Sequence, residues 1–231
     1  MKKYRHLFFD LDRTLWDFNR NSRETLQELY EELGLEGRGV PGFDAFLVRY
    51  HAINDELWTS YRNGQINREV LSPLRFRLTL EAFGINDPGL PAWFAEEYLR
   101  RSALSDHTYP EAKEVLEYLR LSYTLHIITN GFTGVQFNKL RFSGLIHLFG
   151  VVLTSEEAGL SKPDPGIFHL AMQKADATPD DSVMIGDDYR IDILGARQAG
   201  MDQVWYNPEG LTAEEEPTFE IASLTELSIL F

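Results

Sequence analysis

The sequence predicts an α/β fold, a doubly wound parallel sheet with an inserted all-helical domain. Short apolar runs that end on polar residues occur near the start of the chain and again after residue 108, where they alternate with helical patterns. Between these regions every recognisable pattern is helical, which predicts a separate small domain. We expect residues 1–15 and 108–231 to form the α/β core and residues 16–107 to form a helical cap domain.

Five strands are predicted for the core, the first within YRHLFFD at residues 4–10. The other four are SYTLHIITNG, FGVVLTS, DSVMIGDD and DQVWYN. The later strands are separated by the helical patterns PEAKEVLEYLRL, TGVQFNKLRFSG, PGIFHLAMQKA and YRIDILGARQAG. Ligands of such sheets bind beyond the carboxyl ends of the strands, which is where the polar residues of these runs fall.

Four helices are predicted for the inserted segment. Asn21 and Glu24 have the spacing of a capping box for the first helix. The second extends over about residues 43–62, because its apolar residues keep helical spacing for five turns. Asn67 can cap a third helix, kinked or interrupted near Pro73, and PAWFAEEYLRRSAL predicts the fourth.

Composition narrows the possible functions. The 231 residues include 36 acidic and 22 basic side chains, a net charge of -14, so we expect no polynucleotide and no membrane partner. The absence of cysteine excludes disulfides and thiolate chemistry and leaves oxygen or imidazole as metal ligands. No apolar run is long enough to cross a bilayer, and we expect a cytoplasmic protein. Both a monomer and a homodimer stay open.

Two acidic clusters follow predicted strands. Asp10 and Asp12 lie on the same side of an extended segment, and Asp187, Asp188 and Asp192 follow a later strand. Carboxylates that gather in this way favour a hard divalent cation, Mg²⁺ above all, and suit phosphoryl chemistry. The alternative is structural, with turn aspartates that cap backbone amides and a helix start that favours negative charge.

Phosphate contacts are indicated by two further segments. Thr129 offers a hydroxyl, and Asn130 and Gly131 offer backbone amides just before a helix. Lys162, in SKPDP, is a candidate cation if it points at the carboxylates. Each signal is common in turns or on protein surfaces when taken alone.

The order DLDRT, ITNG, SKPDP and GDDYRID resembles the four motifs of the haloacid dehalogenase-like superfamily. The resemblance implies that Asp10 is a nucleophile that forms an aspartyl-phosphate and that Asp12 is the general acid and base. It implies that Thr129 and Lys162 hold the phosphoryl group and the nucleophile. It also implies Mg²⁺ ligands from Asp10, the main-chain carbonyl of Asp12, and Asp187, with Asp188 and Asp192 in support and Asp192 orienting the lysine or the metal shell.

Two positions depart from the family pattern. Arg13 stands where glycine or another small or polar residue is frequent, and Asp188 where serine is frequent. Neither departure removes a group that the chemistry requires. Family members that displace halide from carbon lack the second aspartate, so Asp12 argues for phosphate-ester chemistry.

The segments NDELWTSYRNGQI and LRFRLTLEAFGI of the helical insertion, together with TNGFTGVQFNKL, resemble the pyrimidine 5'-nucleotidase branch of the family. This resemblance implies a small phosphomonoester substrate, most favourably a nucleoside 5'-monophosphate. Arg75 is a candidate substrate contact. Candidates for stacking on a base are Trp16, Phe18, Trp58, Tyr61 and Phe132, with core packing as the alternative for each. A sugar-phosphate or phosphoglycolate phosphatase, a phosphomutase and a catalytically idle interaction module are the competing hypotheses.

Overall fold

A computed structural model describes residues 4–231, and this part of the chain divides into two compact units. The first unit comprises the described residues up to Phe18 together with Ser105–Phe231. The second comprises Asn19–Leu104. No helix among the described residues is both long and apolar enough to cross a membrane.

The first unit contains a parallel sheet of six strands within residues 4–231. They are β1 His6–Phe9, β2 Thr124–Thr129, β3 Phe149–Thr154, β4 Ser182–Gly186, β5 Asp202–Tyr206 and β6 Phe219–Ile221. Their order across the sheet is β3-β2-β1-β4-β5-β6. This order confirms the doubly wound fold and places the switch in winding direction between β1 and β4, where such sheets bind ligands.

One strand was not predicted from the sequence. β6 has only three residues and pairs with β5 alone, at the edge of the sheet. A segment this short carries too little alternation of apolar and polar residues to be recognised from its pattern. The prediction of five strands was therefore wrong, because it lacked this edge strand.

Both faces of the sheet are covered by apolar side chains of helices. Leu7 and Phe9 of β1 belong to one buried cluster, whereas Phe8 between them belongs to another. This alternation is expected because successive strand residues point to opposite faces. The helices of this unit are α5 Ala112–Leu119, α6 Thr133–Phe142, α7 Ser155–Ala158, α8 Pro165–Lys174, α9 Leu194–Gln198 and α10 Leu227–Leu230.

All regular secondary structure that is described for the second unit, residues 19–104, is helical. Its helices are α1 Phe18–Glu32, α2 Phe43–Arg62, α3 Arg68–Glu81 and α4 Leu90–Ser102, with Phe18 itself in the first unit. They pack around an aromatic core in which the rings of Phe76 and Phe94 stack with centroids 4.4 Å apart. Such ring pairs add about 0.5–1.5 kcal/mol to the free energy gained from burying their area.

Two details of the helical prediction need correction. Asn21 does not cap the first helix, because α1 begins at Phe18 and Asn21 is buried within it. α3 continues through Pro73 without interruption, although its predicted cap is confirmed: the side chain of Asn67 accepts a hydrogen bond from the amide of Val70 at 3.0 Å.

Candidate active site

The carboxyl ends of three neighbouring strands meet at the centre of the sheet. Asp10 follows β1, Thr129 ends β2, and Asp187 comes one residue after β4. The Asp10 amide donates to the carbonyl of Ile185 in β4 at 2.9 Å, so the ladder between the two strands extends to the aspartate itself. Residues up to 177 positions apart are thus brought to one edge by strand order alone.

Lys162 lies between two carboxylates of this edge. Its Nζ donates to Asp10 Oδ1 and to Asp192 Oδ1, each at 2.6 Å, and the residue is only 1% exposed. Asn130 fixes the lysine backbone at two points: its Oδ1 accepts from the Lys162 amide at 2.8 Å, and its Nδ2 donates to the Lys162 carbonyl at 2.9 Å. Asn130 therefore positions the lysine through its side chain, a contact the sequence analysis did not foresee.

The ionisation of this group is strongly shifted. Burial acts to lower the pKa of Lys162, but the charges of Asp10 and Asp192 outweigh burial and raise it. Burial raises the pKa values of Asp10 and Asp192, and Lys162 opposes that shift only in part. The site therefore holds more buried negative charge than one lysine neutralises.

Asp192 reaches the site because of the backbone around it. The predicted helix over residues 189–200 is divided into a π-helix, Tyr189–Ile193, and α9. The side chain of Asp188 accepts from the amides of Arg190 and Ile191 and so caps the π-helix, while its own amide donates to Asp192 Oδ2 at 3.2 Å. A Cβ atom on Gly186 would collide with the Asp192 carboxylate, so glycine is required there for Asp192 to fold back over the strand end.

Asp187 is held by a hydroxyl and an indole. Thr14 Oγ1 donates to Asp187 Oδ1 and accepts from the Asp187 amide, both at 3.1 Å, and Trp205 Nε1 donates to the Asp187 carbonyl at 2.9 Å. Burial, with the charge of Asp10 next, raises the pKa of Asp187 to about 7. A positive charge near Asp187 would therefore stabilise its ionised carboxylate.

These residues fit a hard divalent cation. One carboxylate oxygen from each of Asp10, Asp187 and Asp192 lies within 4.8 Å of the other two. Oxygen ligands are what Mg²⁺ prefers, and a cation would relieve the repulsion that raises their pKa values. The Asp12 carboxylate is not in this group, and a contribution from the Asp12 main-chain carbonyl stays a prediction.

The side chain of Asp12 is bound to α6 instead. Lys139 Nζ donates to Asp12 Oδ1 at 2.6 Å, and Gln136 Nε2 donates to Asp12 Oδ2 at 3.0 Å. Burial lowers the pKa of Lys139 despite the opposing charge of Asp12. Neither partner was predicted from the sequence. The available signal was their i, i+3 spacing, which puts two polar residues on the same face of α6 as buried Leu140.

The other predicted site residues include Thr129 and Arg75. Thr129 Oγ1 accepts from the Gly131 amide at 3.2 Å, which leaves the hydroxyl hydrogen of Thr129 for another acceptor and engages the amide that was expected to hold phosphate. Arg75 is buried in the second unit, where it donates to Asn54 Oδ1 at 3.2 Å. Its contact with substrate stays a prediction.

The aromatic candidates also differ in exposure. Trp16 and Phe132 are buried in the first unit, which supports core packing for both. Phe18, Trp58 and Tyr61 are half-buried, and stacking on a base stays a prediction for these three.

Arg13, which departs from the expected family pattern, has an unusual backbone conformation. Its φ is 67°, in the left-handed region that favours glycine. Its guanidinium lies 4.8 Å from the centre of the Phe18 ring, an attractive arrangement of a cation with an aromatic face.

The fold and this site define a hydrolase of the haloacid dehalogenase-like class. The family model for haloacid dehalogenase-like hydrolases matches residues 4–200, and the chain belongs to this family. The chain is 33% identical to the pyrimidine 5'-nucleotidase YjjG of Escherichia coli over 99% of this chain and 98% of that protein. It is 32% identical to the pyrimidine 5'-nucleotidase PynA of Streptococcus pneumoniae, with 97% and 93% covered.

A solved structure extends the comparison. The crystal structure of the HAD-hydrolase YfnB from Bacillus subtilis, bound to magnesium, superposes with a TM-score of 0.90. The two chains are 29% identical, and the match covers 99% of each. The fold is therefore shared over nearly the full length of both proteins.

Proposed function

We propose that this hydrolase is a Mg²⁺-dependent phosphoric monoester hydrolase, most favourably a nucleoside 5'-monophosphatase, which acts through an aspartyl-phosphate. The observation that carries the proposal is the pair of carboxylates after β1, in which Asp10 is bonded to buried Lys162 and Asp12 is bonded separately to α6. One serves as nucleophile and the other as proton donor. Phosphate-ester cleavage needs both, because an alkoxide is a poor leaving group without a proton.

In the first step a carboxylate oxygen of Asp10 attacks phosphorus and the bond from phosphorus to the ester oxygen breaks. Oδ1 of Asp10 is bonded to Lys162, which leaves Oδ2 for the attack. Asp12, in its protonated form, gives its proton to the departing oxygen. The products are the alcohol and phosphorylated Asp10.

In the second step Asp12, now a carboxylate, takes a proton from water as the water oxygen attacks phosphorus. The bond between phosphorus and Asp10 breaks, and inorganic phosphate and the free Asp10 carboxylate are formed. Atoms and charge balance without an oxidant or reductant. The same side chain is acid in the first step and base in the second.

Lys162 and Thr129 provide fixed donors for the negative charge that develops on the phosphoryl oxygens. Both are 1% exposed, so they need little reorganisation when that charge forms. Asp10, Asp187 and the main-chain carbonyl of Asp12 would hold Mg²⁺, with Asp192 nearby, and the ion would supply positive charge for the phosphoryl group.

The substrate class is supported by the relatives. YjjG and PynA, named as pyrimidine 5'-nucleotidases, are matched over almost their full lengths. A glyceraldehyde 3-phosphate phosphatase of Methanothermobacter thermautotrophicus is also 30% identical over 91% of this chain and 88% of that protein, which keeps a sugar phosphate as the second candidate.

The test is a screen of phosphomonoesters with the purified chain, with and without Mg²⁺. We expect hydrolysis of pyrimidine monophosphates with the largest kcat/KM, above purine monophosphates and sugar phosphates. A higher kcat/KM for a sugar phosphate would replace the nucleotidase proposal with the second candidate. Hydrolysis of none of the esters, including an aryl phosphate, would favour the idle interaction module.

A further inference from the structure

Helix α6 directs two buried polar side chains at Asp12. Lys139 is 4% exposed and Gln136 is 1% exposed. Each contacts a different oxygen of the same carboxylate, Lys139 at 2.6 Å and Gln136 at 3.0 Å. A carboxylate held at both oxygens cannot rotate freely about its Cβ–Cγ bond, so its plane is set by α6.

The place of Lys139 is costly for a side chain that serves packing alone. Burying an ammonium group loses its hydration, and an apolar residue of similar length would fill the same space without that loss. Lys139 Nζ lies 4.1 Å from the centre of the Trp16 ring, and the negative face of that ring favours the cation. The ammonium group of Lys139 thus contacts both the Trp16 ring and the Asp12 carboxylate.

The side-chain amide of Gln136 faces Asp12 with its nitrogen, and its oxygen points elsewhere. Its Oε1 is buried and has no hydrogen-bond partner among residues 4–231. Turning the amide over would put this oxygen against the Asp12 carboxylate, where two acceptors repel. A buried acceptor without a donor is unfavourable, so the orientation is set by the bond to Asp12.

Gly131 leaves room for this contact. A Cβ atom at this position would collide with the side-chain amide of Gln136. Other residues at this turn would therefore displace the group that contacts Asp12. Gly131 follows Thr129 and Asn130. The turn that carries the predicted phosphate contacts therefore also leaves space for the Gln136 side chain.

We infer that Lys139 and Gln136 are positioning residues that orient Asp12 for proton transfer, and that Gly131 is required for Gln136 to reach it. This inference rests on the proposed function. It adds two residues that act through Asp12 and need not touch the substrate. Their loss should therefore matter most where the reaction depends on the proton that Asp12 delivers.

The experiment compares an alkyl phosphate with para-nitrophenyl phosphate, whose leaving group departs readily without a proton. Lys139→Met keeps the length of the side chain and removes its charge. We expect kcat for the alkyl ester to fall about 100-fold, kcat for the aryl ester to fall less than about 10-fold, and KM to change less than about twofold. Gln136→Met and Gly131→Ala should show the same selectivity with smaller losses.

A second arm repeats the substitutions in an Asp12→Asn background. If Lys139 and Gln136 act through Asp12, neither substitution should reduce the remaining activity further. Arg141→Met, which removes an exposed cation from the same helix, is the matched control and should leave both esters unaffected. Melting temperatures measured in EDTA establish that each variant is folded, and Gln136→Met decides the matter if Lys139→Met does not fold.

Equal losses on the two esters, or a further loss in the Asp12→Asn background, would overturn the positioning role while the phosphatase itself stands. A parent protein that hydrolyses neither ester in Mg²⁺ would instead overturn the proposed function, and the inference with it. The two failures are therefore distinguishable.

Discussion

The two ends of strands β1 and β2 bury polar groups in different ways. At the carboxyl end, Lys162 is buried between the carboxyl groups of Asp10 and Asp192, which outnumber it. Towards the amino end, His6 and His126 pair with their ring nitrogens 3.1 Å apart. Unrelieved repulsion between carboxylates is therefore concentrated at the carboxyl end of the strands, where the proposed chemistry occurs.

The histidine pair is satisfied without any added ion. His126 Nδ1 accepts from the Val151 amide at 3.2 Å, and the ring stacks on Phe8 with centroids 4.6 Å apart. Burial, followed by the neighbouring His6, lowers the pKa of His126 to about 4. The histidine pair is therefore neutral at pH 7 in the folded protein, and we expect its role to be in stability.

The largest effect should come from the nucleophile. Asp10→Asn keeps the shape of the side chain but cannot attack phosphorus and carries no charge for the metal. We expect turnover to fall by about three orders of magnitude or more, with the fold retained by circular dichroism. A variant that keeps more than a few per cent of the parent activity would remove Asp10 from the nucleophile role.

The next effect concerns the metal. At about one hundred times its Kd, Mg²⁺ should stabilise the parent by roughly 2.7 kcal/mol, which corresponds to about 5–10 °C in Tm for a protein of this size. Asp187→Ala should shrink this shift because it removes a ligand. Without Mg²⁺ it also relieves repulsion, so the metal-free variant should melt no lower than the metal-free parent.

Asp180→Ala is the matched control for this measurement. It removes the same charge from an exposed position just before β4, whereas Asp187 follows that strand. The control should keep the full Mg²⁺ shift. If Asp187→Ala keeps it as well, at concentrations that span the Kd of the parent, Asp187 is not a ligand and its cluster is a turn.

The smallest effect should come from the amino end and should appear only in stability. Because the folded pKa of His126 is depressed, the unfolded chain binds a proton between pH 6.5 and about 4 and the folded protein does not. The free energy of unfolding therefore falls as the pH falls, by up to about 1.4 kcal/mol per pH unit and by about 2.4 kcal/mol between pH 7 and pH 4.5.

Urea denaturation from pH 7 to pH 4.5 would measure this dependence. His126→Gln should flatten it, because a neutral amide takes up no proton. His147→Gln, which removes an exposed imidazole, should keep the slope of the parent. Parallel slopes for the parent and His126→Gln would show that other groups cause the acid sensitivity, and the contrast between the two ends would lose its electrostatic basis.

Local pattern was enough for most elements. The period of apolar residues predicted five of the six strands described and the whole extent of α2. Pattern failed where the decisive contacts were distant. β6 forms only because β5 lies beside it, and α1 begins at Phe18 rather than at a capping Asn21 that is itself buried.

For the site, the sequence by itself determined that Asp10 and Asp187 would lie close together, since the carboxyl ends of adjacent parallel strands must meet. The family resemblance added Lys162 to them. Only the tertiary structure decided how each side chain is partnered. Lys139 and Asp12 are 127 positions apart, and their bond depends on where the fold places α6 relative to the segment that follows β1. Periodicity reports which face of an element is buried, whereas pairing between distant polar groups depends on the assembled geometry, so Asp12 was predictable and its partners were not.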